Sequence, residues 1–287
     1  MAIVRTDDKH YKAIADKLRS YGYTDTATPE EMPHFIESVV ENECIAARQR
    51  GKDEGYSDGR TDGYNDGMSQ GYYSGKQAQY DEFWEGYCNT INTSYTGGFG
   101  AFSGPSWNKE NCKPTKDLKP KYAYQMFAYN TCIEDLDEWA EECGITIDFS
   151  ESTTFIYTFY GSTSTLKSVG VIDTTNANSC SNTFYGASGL HTIKNLILKE
   201  DGSQSFASIF KGNVSLTNIT ISGKIGGPGF DVKECPLTHD SLMSIIYALF
   251  DHSTTGYART VTLGTDNKNK LTEAEIAIAT QKGWSVI

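Results

Sequence analysis

The side chains that most often carry out chemistry occur in this sequence without a catalytic spacing. Five histidines are scattered, and none lies in an HExxH pattern, which binds zinc and supplies a general base. No GxSxG sequence presents a nucleophilic serine, and seven cysteines form no CxxC or Cys/His ligand spacing. Hydrolysis of a glycan by two carboxylates stays open, but no pair of acids stands out. We therefore expect a protein that is not an enzyme and that uses no metal and no cofactor.

The net charge of the chain limits the kinds of partner that it can bind. The chain of 287 residues has 37 acidic against 25 basic side chains, a net charge of −12. That sign opposes binding to nucleic acid, which requires cations to displace counterions from phosphates. The first twenty residues lack the apolar core of a secretion signal, and the longest apolar patch, Leu242 to Phe250, is too short to span a bilayer. We expect no membrane insertion and synthesis in the host cytoplasm.

A glycine run with a strict period is the strongest pattern in the chain. Glycine recurs every fourth residue, at Gly51, Gly55, Gly59, Gly63, Gly67, Gly71 and Gly75, with tyrosines every eight at Tyr56, Tyr64 and Tyr72. Each glycine costs about 1 kcal/mol in a helix relative to alanine, so an isolated helix with this composition would not form. Close backbone packing against another helix would offset that cost. We predict a glycine-zipper helix that joins copies of the chain; a flexible linker is the alternative.

The run separates two different kinds of sequence. Residues 1–48 have helical spacing of apolar side chains and predict an N-terminal helical module. Residues 49–88 are expected to form the GxxxG-repeat helix, which would act as an oligomerisation shaft. Residues 89–117 are rich in Gly, Ser and Thr and predict a linker. Residues 118–287 form the last domain, which ends in an α/β cap.

An internal repeat of about 25 residues organises that last domain. Three segments align, beginning at Phe159, Phe184 and Phe210, and each places an apolar residue near the same later positions. The pattern predicts one short strand per repeat, such as Asn195 to Lys199, and a coil whose phenylalanine points inward. A first copy, Phe127 to Phe149, is widened by an amphipathic helix.

The C-terminal segment predicts the elements of a cap. A helix is expected from Thr238 to Phe250, followed by a strand from Thr260 to Leu263. Thr272 with Glu275 forms a capping-box sequence that would begin a second helix. An apolar strand from Trp284 to Ile287 would end the chain.

The spacing F-x-G-x-x-x-L-x-x-[IV] resembles leucine-rich repeats of the BspA type, which occur in bacterial surface proteins and in phages and prophages of gut Firmicutes. The ending KLTEAEIAIATQKGWSVI is similar to the closing cap of that group, and the start TDDKHYKAIADKLRS resembles an N-terminal module of phage tail-associated proteins. The resemblance and the glycine run together predict an α+β fold: N-terminal helices with the long glycine-zipper helix, then a short leucine-rich-repeat solenoid with a C-terminal α/β cap. The resemblance implies no catalytic residues.

These observations predict a phage virion protein associated with the tail or a fibre. Residues 1–48 would attach to other tail proteins, the glycine helix would form a homo-oligomer, which phage fibres suggest is a trimer, and the repeat domain would bind a saccharide or protein on the host surface. Tyr160, Tyr185 and Lys211 occupy equivalent positions in successive repeats and are the predicted ligand surface; ordinary packing is the alternative. A purely structural component of the baseplate, neck or head, and a bacterial surface adhesin, are the other functions considered.

Overall fold

A long helix is the first element of the structure. This computed structural model describes Ile45 and residues 61–94, 97–256 and 259–287. Helix α1 spans Thr61–Thr93 and contains the later part of the glycine run. Because the run continues directly into residues that favour helix, the backbone keeps helical geometry through its last glycines.

The chain divides into two compact units, Met1–Thr90 and Ile91–Ile287. The division falls within α1 and lies close to the predicted start of the linker at residue 89. The other helices and strands of the described residues belong to the second unit. The finer division into an attachment module, a shaft, a linker and a repeat domain stays a prediction.

A three-stranded parallel sheet lies at the centre of the second unit. Strands β1 (Ser168–Asp173), β2 (Thr192–Ile197) and β3 (Asn218–Ser222) are hydrogen-bonded in that order. The strand predicted from Asn195 to Lys199 therefore begins three residues earlier. Ile193 and Leu196 are both buried although they lie three positions apart, because the pairing of β2 with β3 shifts register between them.

Helix α2, Leu136–Cys143, lies beside the β1 edge of this sheet. The Asp135 carboxylate caps its first turn by accepting backbone N–H groups, and Gly144 ends it in the left-handed conformation. The backbone of Asp135 forms a parallel bridge with Ser168 at the start of β1. The helix predicted over Ile133 to Cys143 is therefore present but begins three residues later.

Helix α3, His239–Ala248, covers the β3 edge. The hydroxyl of Ser241 accepts the backbone N–H of Ile219 at 2.9 Å, and the hydroxyl of Ser244 accepts that of Ile221 at 2.8 Å. An unpaired strand edge would offer these N–H groups to another strand. The serines satisfy them instead, so the sheet ends at β3.

The C-terminal segment forms a smaller layer. Strand β4 (Arg259–Val261) pairs in parallel with β5 (Trp284–Val286), and the short helix α4 (Thr265–Lys268) and helix α5 (Glu273–Gln281) lie between them in sequence. The expected capping box is confirmed, since the Thr272 hydroxyl and the side chain of its partner three residues later bond each other's backbone N–H groups.

A row of stacked phenylalanines fills the core of the second unit. Their ring centroids lie 5.3 to 5.8 Å apart, their planes differ by at most 10°, and each ring is at most 2 % exposed. The members of this phenylalanine row are Phe102, Phe127, Phe159, Phe184 and Phe210. Each ring thus packs on the ring of the next repeat. The sequence predicted that these phenylalanines point inward.

The predicted fold class is nevertheless wrong. The described residues form five helices, the three-stranded parallel sheet and one two-stranded pair, and they do not combine a long packed helix with a leucine-rich-repeat solenoid. Regular strand pairing is confined to three neighbouring repeats, and isolated bridges such as Leu118 with Ile147 connect the others. A Cβ built at Gly71 or Gly75 would meet no atom within 4 Å.

Candidate binding surface

Three backbone hydrogen bonds align the residues that the sequence predicted as a ligand surface. In each bond an N–H group of one repeat donates to a carbonyl oxygen of the next: Tyr129 to Tyr160 at 2.7 Å, Gly161 to Tyr185 at 2.8 Å, and Gly186 to Lys211 at 2.8 Å. Because the same bond recurs, the side chains that follow each inward phenylalanine are held in one line. The predicted residues Tyr160, Tyr185 and Lys211 are therefore neighbours in space.

The three predicted residues belong to a larger group of aromatic side chains. Six tyrosines contact one another through ring pairs whose centroids lie 5.0 to 6.0 Å apart. This tyrosine surface consists of Tyr122, Tyr124, Tyr129, Tyr157, Tyr160 and Tyr185. Phe99 stacks on Tyr124 at one end, at 5.2 Å. At the other end the ammonium group of Lys211 lies 5.4 Å from the ring centroid of Tyr185, within reach of a cation–π interaction.

The exposure of these rings differs from that of the phenylalanine row. Tyr129 is 50 % exposed, and the other five tyrosines are partly exposed. Most of the ring pairs meet edge to face, as Tyr157 and Tyr160 do at 83°, whereas Tyr160 and Tyr185 are stacked at 24°. The result is a continuous surface of aromatic edges, faces and hydroxyl groups.

Two of the tyrosines have a backbone conformation that side chains usually avoid. Tyr129 has φ 57° and Tyr157 has φ 61°, both in the left-handed region. Later repeats place glycine at the position of Tyr129, and Gly161 and Gly186 have φ 64° and 74° there. A Cβ on Gly161 would lie 2.6 Å from the ring of Tyr129, so this glycine makes room for that ring. The left-handed conformation of Tyr157 recurs at the same position of other repeats, at Asn182 and Ser208, so it belongs to the repeat itself.

Two tyrosines of the surface have raised pKa values. Burial raises the pKa of Tyr129, and the nearby hydroxyl of Tyr160, to which it is hydrogen-bonded, raises it further. Burial also raises the pKa of Tyr124, with smaller contributions from Tyr157 and Tyr122. Neutral phenols both donate and accept hydrogen bonds, so the surface can exchange such bonds with polar groups of a ligand.

A concavity lies at the Lys211 end of the surface. It has a volume of about 610 Å³ and is lined by Lys211, Asp231, Glu234 and Arg259 among others. The carboxylate of Glu234 accepts the backbone N–H of Gly212 at 2.6 Å, which closes the hydrogen-bond series that runs through the tyrosines. The surface thus changes from aromatic to charged at this end.

Of the six tyrosines, Tyr160 and Tyr185 were predicted from the sequence, and the other four were not. A signal for Tyr129 was present, because the first repeat reads Phe-Ala-Tyr where the later ones read Phe-x-Gly. A tyrosine at a position where the other repeats have glycine with a positive φ is energetically unfavourable, because its Cβ is strained in that conformation. The contact of Tyr124 with Tyr157 carries no such signal, since it joins two repeats that differ in length.

The predicted oligomerisation residues are only partly covered by the structure. Gly51, Gly55, Gly59 and Tyr56 lie outside the described residues. The backbones of the others belong to α1: Gly63, Gly67, Gly71, Gly75, Tyr64 and Tyr72. Their role in joining chains stays a prediction.

Within the part of the chain that the structure describes, no three His, Cys, Asp or Glu side chains are grouped so that they could hold a metal ion. No helix in that part combines the length and the apolar character needed to cross a membrane. The sequence matches no protein-family model and no curated protein. No solved structure matches it either.

Proposed function

We propose that the protein is a non-catalytic phage virion component, associated with the tail or a fibre, that binds a saccharide on the host surface through the tyrosine surface. The observation that carries the binding role is the continuity of six tyrosines from successive repeats. The resemblance of the N-terminal stretch to tail-associated modules supports the virion role and gives residues 1–48 the task of attachment to other tail proteins.

The chemistry of the surface favours a saccharide. Tyrosine rings offer apolar faces on which the C–H face of a sugar ring can stack, and their hydroxyls pair with those of the sugar. Tyr160 and Tyr185 are stacked with their centroids 5.0 Å apart, so they form one rigid platform. The net charge of −12 supports a neutral or cationic ligand over a polyanion such as nucleic acid.

The binding test compares tyrosines inside and outside the surface in the full chain. The double variant Tyr160→Ala/Tyr185→Ala removes the stacked platform, and Tyr247→Ala removes a tyrosine that is 59 % exposed on α3. On a microarray of bacterial polysaccharides, we expect the double variant to bind about tenfold or more weakly than wild type, because two contact rings are lost.

The control variant should bind as the wild type does, and circular dichroism should show that all three proteins are folded. Equal binding by the double variant and Tyr247→Ala would contradict the assignment of the site. Binding of wild type to host cells that is abolished by protease treatment of those cells would replace the saccharide with a protein receptor. Absence of binding to the array and to host cells would favour the purely structural role.

The second part of the proposal is that α1 joins copies of the chain through its glycines. Gly71 and Gly75 present open backbone to their surroundings, the arrangement that allows another helix to approach closely. The test uses light scattering on the full chain with Gly71→Leu and the control Gly86→Leu. Gly86 also lies on α1 with open space around it, but it falls outside the series of every fourth residue.

We expect the wild type to be a trimer, Gly71→Leu to dissociate and Gly86→Leu to remain assembled, because only Gly71 belongs to the periodic face. A monomeric wild type would contradict the shaft role and return the glycine run to a linker. Dissociation by both variants would show that the periodic face is not what joins the chains.

A further inference from the structure

Three thiols come together away from the tyrosine surface. Cys112, Cys132 and Cys143 line one cavity of about 250 Å³ beside α2, and none of them is in a disulfide. The Sγ atom of Cys143 lies 3.9 Å from the carbonyl oxygen of Cys112, and the indole N–H of Trp139 donates to the same oxygen at 2.8 Å. The loop that carries Cys112 is thus fixed against the helix.

Cys112 and Cys132 line the same cavity in different environments. Cys112 is buried, which raises the pKa of its thiol, and its hydrogen bond to Cys132 raises it further. Cys132 is partly exposed. The same hydrogen bond lowers the pKa of the Cys132 thiol, with help from Asn130 and from the positive charge of Lys109. Cys132 is therefore the nucleophile of the pair. Cys112 is the resolving cysteine, whose sulfur attacks the mixed disulfide that Cys132 forms.

We propose that Cys112 and Cys132 are a disulfide-forming pair that is oxidised by a small disulfide such as oxidised glutathione. The Cys132 thiolate attacks one sulfur of the glutathione disulfide, forms a Cys132–glutathione bond and releases one glutathione. The sulfur of Cys112 then attacks Sγ of Cys132, the protein disulfide forms, and the second glutathione leaves. The two protein thiols lose two electrons and two protons, and the two glutathione molecules receive them.

Because of where the two cysteines lie, the disulfide would affect part of the tyrosine surface. It would close a loop from residue 112 to residue 132, and that loop carries Tyr122, Tyr124 and Tyr129. Backbone N–H groups of Gln125 and Phe127 in this loop donate to the carbonyl oxygens of Ile156 and Thr158 in the next layer. Oxidation would therefore restrict the unfolded chain between these two cysteines and stabilise the segment that carries three of the six tyrosines. This consequence rests on the proposed binding function, whereas the disulfide itself does not.

The test measures thiols and mass in the full chain. All proteins carry Cys44→Ser, so that a cysteine outside the described residues cannot contribute. The reduced protein is treated with oxidised glutathione, and intact mass and free thiols are recorded. We expect the protein with both cysteines to lose two free thiols and the mass of two hydrogen atoms, and to retain no glutathione. The midpoint of its thermal unfolding should rise by about 5 to 10 °C.

Single variants distinguish the roles of the three cysteines. Cys112→Ser should retain one glutathione on Cys132, because the resolving sulfur is missing. Cys132→Ser should form neither adduct nor disulfide, and this variant covers the case in which the buried Cys112→Ser fails to fold. Cys143→Ser should behave as the wild type does.

Three results would overturn the proposal: no loss of thiols in the wild type, a disulfide that contains Cys143, or an unchanged reaction in Cys132→Ser. Polysaccharide binding is measured separately on the reduced and oxidised proteins. Formation of the disulfide in a protein that binds no polysaccharide would support the pair and contradict the binding function alone.

Discussion

Two rows of aromatic rings run side by side through successive repeats, and they differ in order and exposure. The phenylalanine row is buried, and its planes are parallel within 10°. The tyrosine surface uses the same backbone ladder, yet its pairs range from 18° to 83° and Tyr129 is half exposed. Rings that are packed on all sides have one arrangement, whereas rings with solvent on one side can tilt. The difference separates a row that holds the unit together from one that remains available to a ligand.

The largest effect should come from removing one ring of the buried row. Phe184→Ala should lower the free energy of unfolding by about 3 to 5 kcal/mol, because a fully buried ring leaves a cavity between two stacked neighbours. The adjacent Tyr185→Ala should lower it by less than about 1.5 kcal/mol, since that ring is partly exposed. Urea unfolding of both variants provides the measurement, and equal losses would show that the two rows do not differ in energetic role.

The phenylalanine row is the feature that sequence predicted best. A ring repeated about every 25 residues, with apolar residues at fixed distances after it, has to face a common interior. The strands were placed less well. Ile193 and Leu196 both face the core across a register shift, which breaks the alternation that identifies a strand.

The tyrosine surface shows a different limit of prediction. Equivalent spacing placed Tyr160 and Tyr185 together, but Tyr124 and Tyr157 meet across repeats of unequal length. A fixed period does not predict such a contact. The glycine run sets a third limit. Its period of four predicts a helix face that another helix can approach closely, and Gly71 and Gly75 have open space where a Cβ would lie. The period does not identify the helix that would pack there.

A second prediction concerns the backbone spacing on which both rows depend. Gly189 is buried, and a Cβ at this position would lie 2.5 Å from the backbone oxygen of Ser164 in the preceding repeat. Gly189→Ala should therefore lower the free energy of unfolding by about 1 to 3 kcal/mol, since backbone has to move to relieve the overlap. Gly86→Ala, on α1 in open space, should cause no loss.

Urea unfolding with fluorescence detection distinguishes the two glycine variants. If Gly189→Ala were as stable as wild type, the separation between successive repeats would not be limited by this glycine. The polysaccharide affinity of Gly189→Ala should also fall, because displaced backbone would misalign the tyrosines above it.

A smaller effect on stability should separate the contribution of the Tyr129 ring from that of its backbone conformation. Tyr129→Gly and Tyr129→Ala both remove the ring, but only alanine retains a Cβ at a φ of 57°. The glycine variant should be more stable than the alanine variant by about 1 kcal/mol, because left-handed geometry is unfavourable for residues with a Cβ. Both should bind polysaccharide with the same reduced affinity. Equal stability of the two variants would contradict the left-handed conformation at this position.

The smallest effect is a pH dependence that neither aromatic row can cause, because neither phenylalanine nor tyrosine ionises in acid. The carboxylate of Asp201 accepts the backbone N–H of Ser203 at 2.9 Å, and this bond lowers the pKa of Asp201 in the folded state. The pKa values of Asp148 and Asp251 are also lowered, first by side-chain hydrogen bonds from Ser150 and Ser253 and then by the backbone N–H groups of the same serines. Each carboxylate stabilises the fold fully above its unfolded-state pKa of about 3.9, and the contribution is lost as the pH falls through the lower folded-state pKa.

Asp201→Asn keeps an oxygen that can accept the Ser203 N–H but has no proton to bind. The midpoint of thermal unfolding of this variant should therefore fall less steeply than that of wild type as the pH is lowered below about 4. The ratio of polysaccharide affinities between the two proteins should stay constant over that range, because Asp201 does not belong to the tyrosine surface. Superimposable pH profiles of stability would show that the acid response of the protein arises away from this turn.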